Sequence, residues 1–190
     1  MELFADILAT AFDALKNGRT LLYPTDTIWG IGCDAANGDA VERIYAIKER
    51  DHSKAMLLLV TASMLSRNMP DEVRGLLLES ERPTTVIVPA DMVCRRVAEN
   101  LPAGDGTIGV RVPRMDFCQQ LLEMLDSPIV STSANFSGHP SPQCYGDIDE
   151  SLKGRVDCCL PDSPLFWHPS VGSSRILKVE PDGCVTVIRG

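Results

Sequence analysis

The sequence predicts a mixed α/β fold, one β-sheet with flanking helices, and not a doubly wound Rossmann domain. Three observations predict it. Apolar runs of strand length and helical periodicities mix along the chain without strict strand–helix–strand alternation. The last strand-like runs are joined by short turns. No G-x-G-x-x-G follows a strand, and no G-x-x-x-x-G-K-[ST] occurs.

In chain order, Leu3, Phe4, Ile7, Leu8, Ala11, Phe12 and Leu15 fall at helical spacing over residues 2–17, and Gly18 supplies the stop. Residues 21–23 read as a buried strand that Pro24, lacking an N–H, ends. Thr25-Asp26-Thr27 then sets two hydroxyls and a carboxylate at the strand end, and Gly30 and Gly32 allow close backbone approach. After a turn, Asp39 is expected to cap a helix carrying Val41, Ile44, Tyr45 and Ile47 on one face. That helix delivers Lys48, Arg50 and, past its end, Lys54. Residues 56–60 are a second apolar strand, 61–65 and 71–78 short helices, and 84–88 a strand closed by Pro89. A Pro/Gly loop precedes the strand at 107–113, whose alternation sets Thr107, Gly109 and Arg111 on one face. A helix over about 115–125 leads to a strand at 128–132, which opens into Ser133-Ala134-Asn135-Phe136-Ser137-Gly138. The polar loop 139–146 has the length of a lid. A short helix near 147–152 and strands near 156–160, 175–179 and 185–188 complete the chain.

With 190 residues, 44% of them apolar, the chain is long enough for one domain with a real core. A net charge of −8 argues against a general nucleic-acid scaffold, although a local basic patch fits inside an acidic envelope. Lys48, Arg50, Lys54, Arg111 and Arg114 are the candidates for one. No apolar run approaches a membrane span, and the acidic start lacks a signal peptide's basic region. The seven cysteines form no C-x-x-C, which suggests reduced thiols in a cytosolic protein. The three histidines are isolated, so no metal site is expected.

A hydroxyl-rich turn facing cations suits a polyanion and a small polar molecule. Taken alone, Lys48-Glu49-Arg50-Asp51 reads as a solvated helix end. Ser131-Thr132-Ser133 alone reads as a strand end satisfying its own backbone. Arg111, mid-strand between valines, must meet a carboxylate, which is either internal (Asp26 or Asp34) or a ligand's.

Four segments in order carry a resemblance. They are Tyr23–Gly32, then Ile44-Tyr45-Ala46-Ile47-Lys48-Glu49-Arg50 on to Lys54, then Thr107–Pro113, then Ile129–Gly138. Arg82-Pro83-Thr84-Thr85-Val86 adds a looser fifth. Together they resemble the YrdC-like (TsaC) family of threonylcarbamoyl-AMP synthases in its short, single-domain form, with one domain over residues 1–190. The resemblance implies a twisted mixed sheet with a concave, cationic active-site face. It implies that L-threonine, bicarbonate or CO2, and ATP with Mg2+ give threonylcarbamoyl-AMP and pyrophosphate, a nucleotidyl transfer. The product feeds N6-threonylcarbamoyladenosine at position 37 of tRNA through downstream threonylcarbamoyl-transfer proteins. Contact with tRNA itself is possible on this reading, and a membrane is not involved.

By the same resemblance, Lys48, Arg50, Ser133 and Asn135 form the catalytic set, and with Thr107, Ser141 and Arg189 they bind ATP. Thr25, Lys54, Arg111, Ser131 and Ser174 would hold threonine. Arg175 and Lys178 depart from the family pattern. Two other classes of function stay open: a non-catalytic RNA-binding module on the same surface, and a carbamoyl-transfer domain that makes a carbamoyl adenylate. Steep salt dependence would mark the first, and threonine independence the second.

Overall fold

In the computed structural model, which describes residues 2–52, 56–166, 172–180 and 184–190, the apolar runs become one nine-stranded mixed sheet. Its strands are β1 (Leu21–Tyr23), β2 (Gly30–Asp34), β3 (Leu57–Leu59), β4 (Thr84–Pro89), β5 (Thr107–Arg111), β6 (Ile129–Ser133), β7 (Cys158–Cys159), β8 (Arg175–Val179) and β9 (Val185–Arg189). They lie in the order β7-β1-β2-β6-β3-β5-β4-β8-β9. The pairs β1/β7, β3/β5 and β4/β8 are parallel and the others antiparallel. The helices are α1 (Glu2–Lys16), α2 (Gly38–Lys48), α3 (Asp71–Leu78), α4 (Asp116–Leu125) and α5 (Glu150–Lys153). α1 crosses α4, with Phe4 edge-on to Phe117 at 6.2 Å. No described helix is long and apolar enough to cross a membrane.

Register decides what each face of the sheet carries. Gly30 pairs with Ser133, Gly32 with Ser131, and Leu57 with both Ser131 and Gly109. Paired residues project to the same side, so glycines and serines share one face. Arg111 and Thr85 join that face by the two-residue period. The other face holds Ile31, Val130, Leu58, Val110 and Val86, all fully buried in the core. Small residues on one side and branched apolar ones on the other leave a hollow over the first.

Several elements differ from expectation. β2, between β1 and β6, is a strand beyond those expected. It uses the close backbone approach expected of its glycines: a Cβ on Gly32 would collide with Val130 O and stand 2.9 Å from Tyr23 Cε1. The α2 cap is Asn37, whose side chain accepts from Ala40 N at 3.0 Å; Asp39 sits in the first turn, where its charge suits the helix dipole. The segment expected as a helix at 61–65 is a single 3₁₀ turn, Ala62–Met64. The last helix starts later than expected, at Glu150, behind an Asp149 cap.

Candidate active site

The hollow is a cleft of ≈ 220 Å³ whose described lining contains three arginines, Arg50, Arg111 and Arg189, nine serine or threonine side chains, and no carboxylate. β2, β5 and β6 supply its floor, the ends of β1 and α2 one wall, and β4, β8 and β9 the other. Of the residues expected at the site, Thr25, Arg50, Arg111, Ser131, Ser133, Ser141, Ser174 and Arg189 line it. Lys48, Asn135 and Thr107 do not, and Lys54 lies outside the described residues.

Arg111 is 2% exposed. Its Nη1 donates to Thr27 Oγ1 at 2.8 Å, and its Nη2 lies 3.4 Å from Asp26 Oδ1, an ion pair without hydrogen-bond geometry. The internal partner is therefore Asp26. Asp34 is committed elsewhere, to Ser127 Oγ and Ala36 N. Arg111 Nε is buried with no hydrogen-bond partner among the described residues, a donor held ready beside the cleft. Thr25 donates to Ile28 O at 2.8 Å and accepts from Thr27 N, so its hydroxyl is used up inside the protein. It faces the neighbourhood of Gly30 through its methyl group.

Lys48 does not end a solvated helix. It is 1% exposed, and its Nζ donates to Ser133 O at 2.5 Å and Asn135 O at 2.6 Å. The helix stops because Glu49 takes a left-handed conformation, φ 51° and ψ 43°, a costly choice for a residue with a Cβ. That turn sends Lys48 inward and Arg50 toward the cleft. Ser137 N bonds Lys48 O at 3.0 Å, so one residue fastens the whole 133–137 loop. Burial, then repulsion from Arg50, pulls the Lys48 pKa down to about 7. The chain after β6 does not stay extended: Asn135 N turns back to Ser133 O at 2.9 Å. Ser133 Oγ donates to Asn135 Oδ1, and Asn135 Nδ2 to His139 O, each at 2.5 Å. Ser133 alone of the two reaches the cleft.

On the opposite wall Arg189 donates twice to Ser174 O, at 3.1 and 2.8 Å. Burial, then the charge of Arg111, lowers its pKa. Ser174 Oγ meets Thr85 Oγ1 at 2.8 Å, and whichever accepts keeps a proton to offer a ligand. Thr107 donates to Asp105 Oδ1 at 2.6 Å in an exposed turn. Arg114 is not among the described residues that line the cleft; it gives its N–H to Asp26 and its guanidinium to Glu81 O. Arg175 bonds Thr84 and Ser80, and Lys178 pairs with Glu180.

Thr27, Thr85 and Trp29 are among the lining residues that were not expected at the site. Alternation along residues 84–88 sets Thr85 opposite Thr84 and Val86, and the pairing of β4 within the sheet turns that face to the cleft. Trp29 sits edge-on to Tyr145 at 4.8 Å and ties the cleft to the end of the 139–146 segment, where Tyr145–Asp147 form a 3₁₀ turn.

The sequence matches a known family. The Sua5/YciO/YrdC model, described as telomere recombination, matches residues 13–189. The chain belongs to that family. A curated family member named threonylcarbamoyl-AMP synthase, from Methylococcus capsulatus, is 34% identical over 137 residues, 70% of this chain and 72% of its own. One of the same name from Pyrococcus abyssi is 28% identical over 77% of this chain and 44% of its own. A crystal structure of P. abyssi Sua5 complexed with L-threonine superposes with a TM-score of 0.81 at 24% identity, covering 98% of this chain and 54% of that one. The chain thus spans about half of the archaeal relative. The twisted mixed sheet with flanking helices is the fold of this family.

Proposed function

We propose that the chain is an L-threonylcarbamoyladenylate synthase, making threonylcarbamoyl-AMP and pyrophosphate from L-threonine, bicarbonate or CO2, and ATP. The observation that carries this reading is the cleft lining, which among the described residues has three arginines, many hydroxyls and no carboxylate. Such a lining favours anions, and it suits two of them side by side: a carboxylate at Arg111 and phosphates between Arg50, Ser133 and Arg189. The threonine amine captures CO2 as a carbamate. A carbamate oxygen attacks the α-phosphorus, the bond to the β-phosphate oxygen breaks, and pyrophosphate leaves. No side chain serves as nucleophile. Alignment of the two substrates and charge stabilisation on the phosphates supply the acceleration.

Magnesium arrives on the ATP phosphates as part of the substrate. Among the described residues no cluster of His, Cys, Asp or Glu gathers to hold a resident metal. The product's onward use in tRNA modification, by proteins that transfer the threonylcarbamoyl group, belongs to the same proposal, as does a cytoplasmic location.

Amino-acid selectivity tests the pocket. Serine lacks one methyl, worth ~1–3 kcal/mol, and should be a poor but measurable substrate. Valine cannot bond the Thr85–Ser174 hydroxyl pair and should be rejected more strongly, because that pair would be left unmatched. Adenylate formation with threonine, serine and valine is the measurement. Valine competing as well as serine would show that the hydroxyl is not read.

A further inference from the structure

The hydrogen bonds behind Arg111 have only one possible direction. A guanidinium can only donate, so Arg111 Nη1 gives a proton to Thr27 Oγ1. A carbonyl can only accept, so Thr25 Oγ1 spends its single proton on Ile28 O. The 2.8 Å contact between the two hydroxyls must therefore be donated by Thr27. Thr25 Oγ1 also takes Thr27 N at 3.1 Å, which fills both of its lone pairs. The result is a directed chain from Arg111 through Thr27 and Thr25 to Ile28 O, all of it at the cleft wall.

Asp26 completes the arrangement. It does not line the cleft. Its Oδ2 is fixed by Arg114 N at 3.0 Å, and its Oδ1 faces Arg111 Nη2. The guanidinium is thus held at Nη1 by a hydroxyl and steadied at Nη2 by a charge behind it. Nε, buried and without a partner among the described residues, is left for a ligand.

We infer that Thr27 is a positioning residue, whose hydroxyl sets the rotation of the Arg111 guanidinium and so presents its free edge to the carboxylate of the amino-acid substrate. This rests on the reading of Arg111 as the carboxylate clamp. Thr27 acts through Arg111 and has no need to touch the substrate. Planar, two-point carboxylate recognition depends on orientation, so a guanidinium that rotates loses affinity without losing charge.

The test uses Thr27→Val, which keeps the shape and removes the acceptor, and Thr27→Ser, which keeps the hydroxyl. Thr27→Val should raise the KM for threonine about tenfold, leaving kcat and the KM for ATP within about twofold, the pattern of lost ground-state binding. Thr27→Ser should return the threonine KM to within about threefold of wild type. A second readout needs no substrate. The guanidinium N–H signals of Arg111 in 15N NMR should be separate in wild type and Thr27→Ser, and averaged by rotation in Thr27→Val. An unchanged threonine KM in Thr27→Val, equal damage in Thr27→Ser, or unaltered guanidinium signals would each overturn the inference. If wild type makes no use of threonine, the functional reading falls, while the guanidinium signals still decide the role of Thr27.

Discussion

Arg111→Ala is expected to weaken L-threonine binding by roughly 1.5–3 kcal/mol, the range for a hydrogen bond to a charged group, while ATP affinity changes little. The same substitution strips Asp26 of its counter-charge. Removing one member of a buried pair costs about 3–5 kcal/mol, so the melting temperature should fall as well. The two effects are separable. Adding Asp26→Asn to Arg111→Met removes the orphaned charge and should recover most of the stability and none of the threonine binding. Arg111→Lys should recover part of the binding, because an ammonium cannot reproduce a planar fork. Calorimetric titration with each ligand, beside a thermal melt, checks all four variants. A stabilised double variant that binds threonine normally would make Arg111 a core ion-pair residue and nothing more.

Lys48→Met should reduce ATP use tenfold or more, about 1.5–3 kcal/mol, and leave threonine affinity nearly intact. The reason is indirect. Without the ammonium, the carbonyls of Ser133 and Asn135 lose their donor and the loop carrying Ser133 is no longer fixed. Backbone amides at 134–138 should then exchange faster with solvent. Stability at pH 7 should move little, since lost hydrogen bonds are offset by relief from burying a charge.

The pH dependence has a definite sign. The folded pKa of Lys48 is lowered to about 7, and in the unfolded chain it returns to 10.5. Below pH 7 both states hold the proton, and the stability gap between wild type and Lys48→Met is flat. From pH 7 towards 10.5 the unfolded chain binds the extra proton, so the gap should move in favour of wild type as pH rises. Taking the difference cancels the buried thiols Cys33 and Cys118, whose raised pKa values lower stability in both proteins at high pH. A gap that shrinks across this window would contradict a buried, readily deprotonated Lys48.

Much of the fold was legible because burial has a period. Alternation found β5 and the shared face of Gly109 and Arg111, and 3.6-residue spacing found α1, α2 and α4. β2 escaped because glycine serves turns and close strand packing alike, and only the opposing Val130 carbonyl tells which. At the site, residue types were readable and their directions were not. Lys48 and Arg50 are two positions apart, yet the left-handed Glu49 sends one into the core and the other to the cleft. Thr85 and Ser174 are 89 residues apart and meet only because β4 pairs with β8. Thr25 was expected to offer a hydroxyl that Ile28 O and Thr27 already occupy. Local sequence names the groups, whereas the hydrogen bonds that use them up depend on distant chain.

Pyrophosphate release, measured with each of threonine, bicarbonate and ATP left out in turn, tests the central claim most directly. Because the proposed reaction adenylates the threonine carbamate, release should require all three and collapse when any one is missing. Equal release from ATP without threonine would contradict the account.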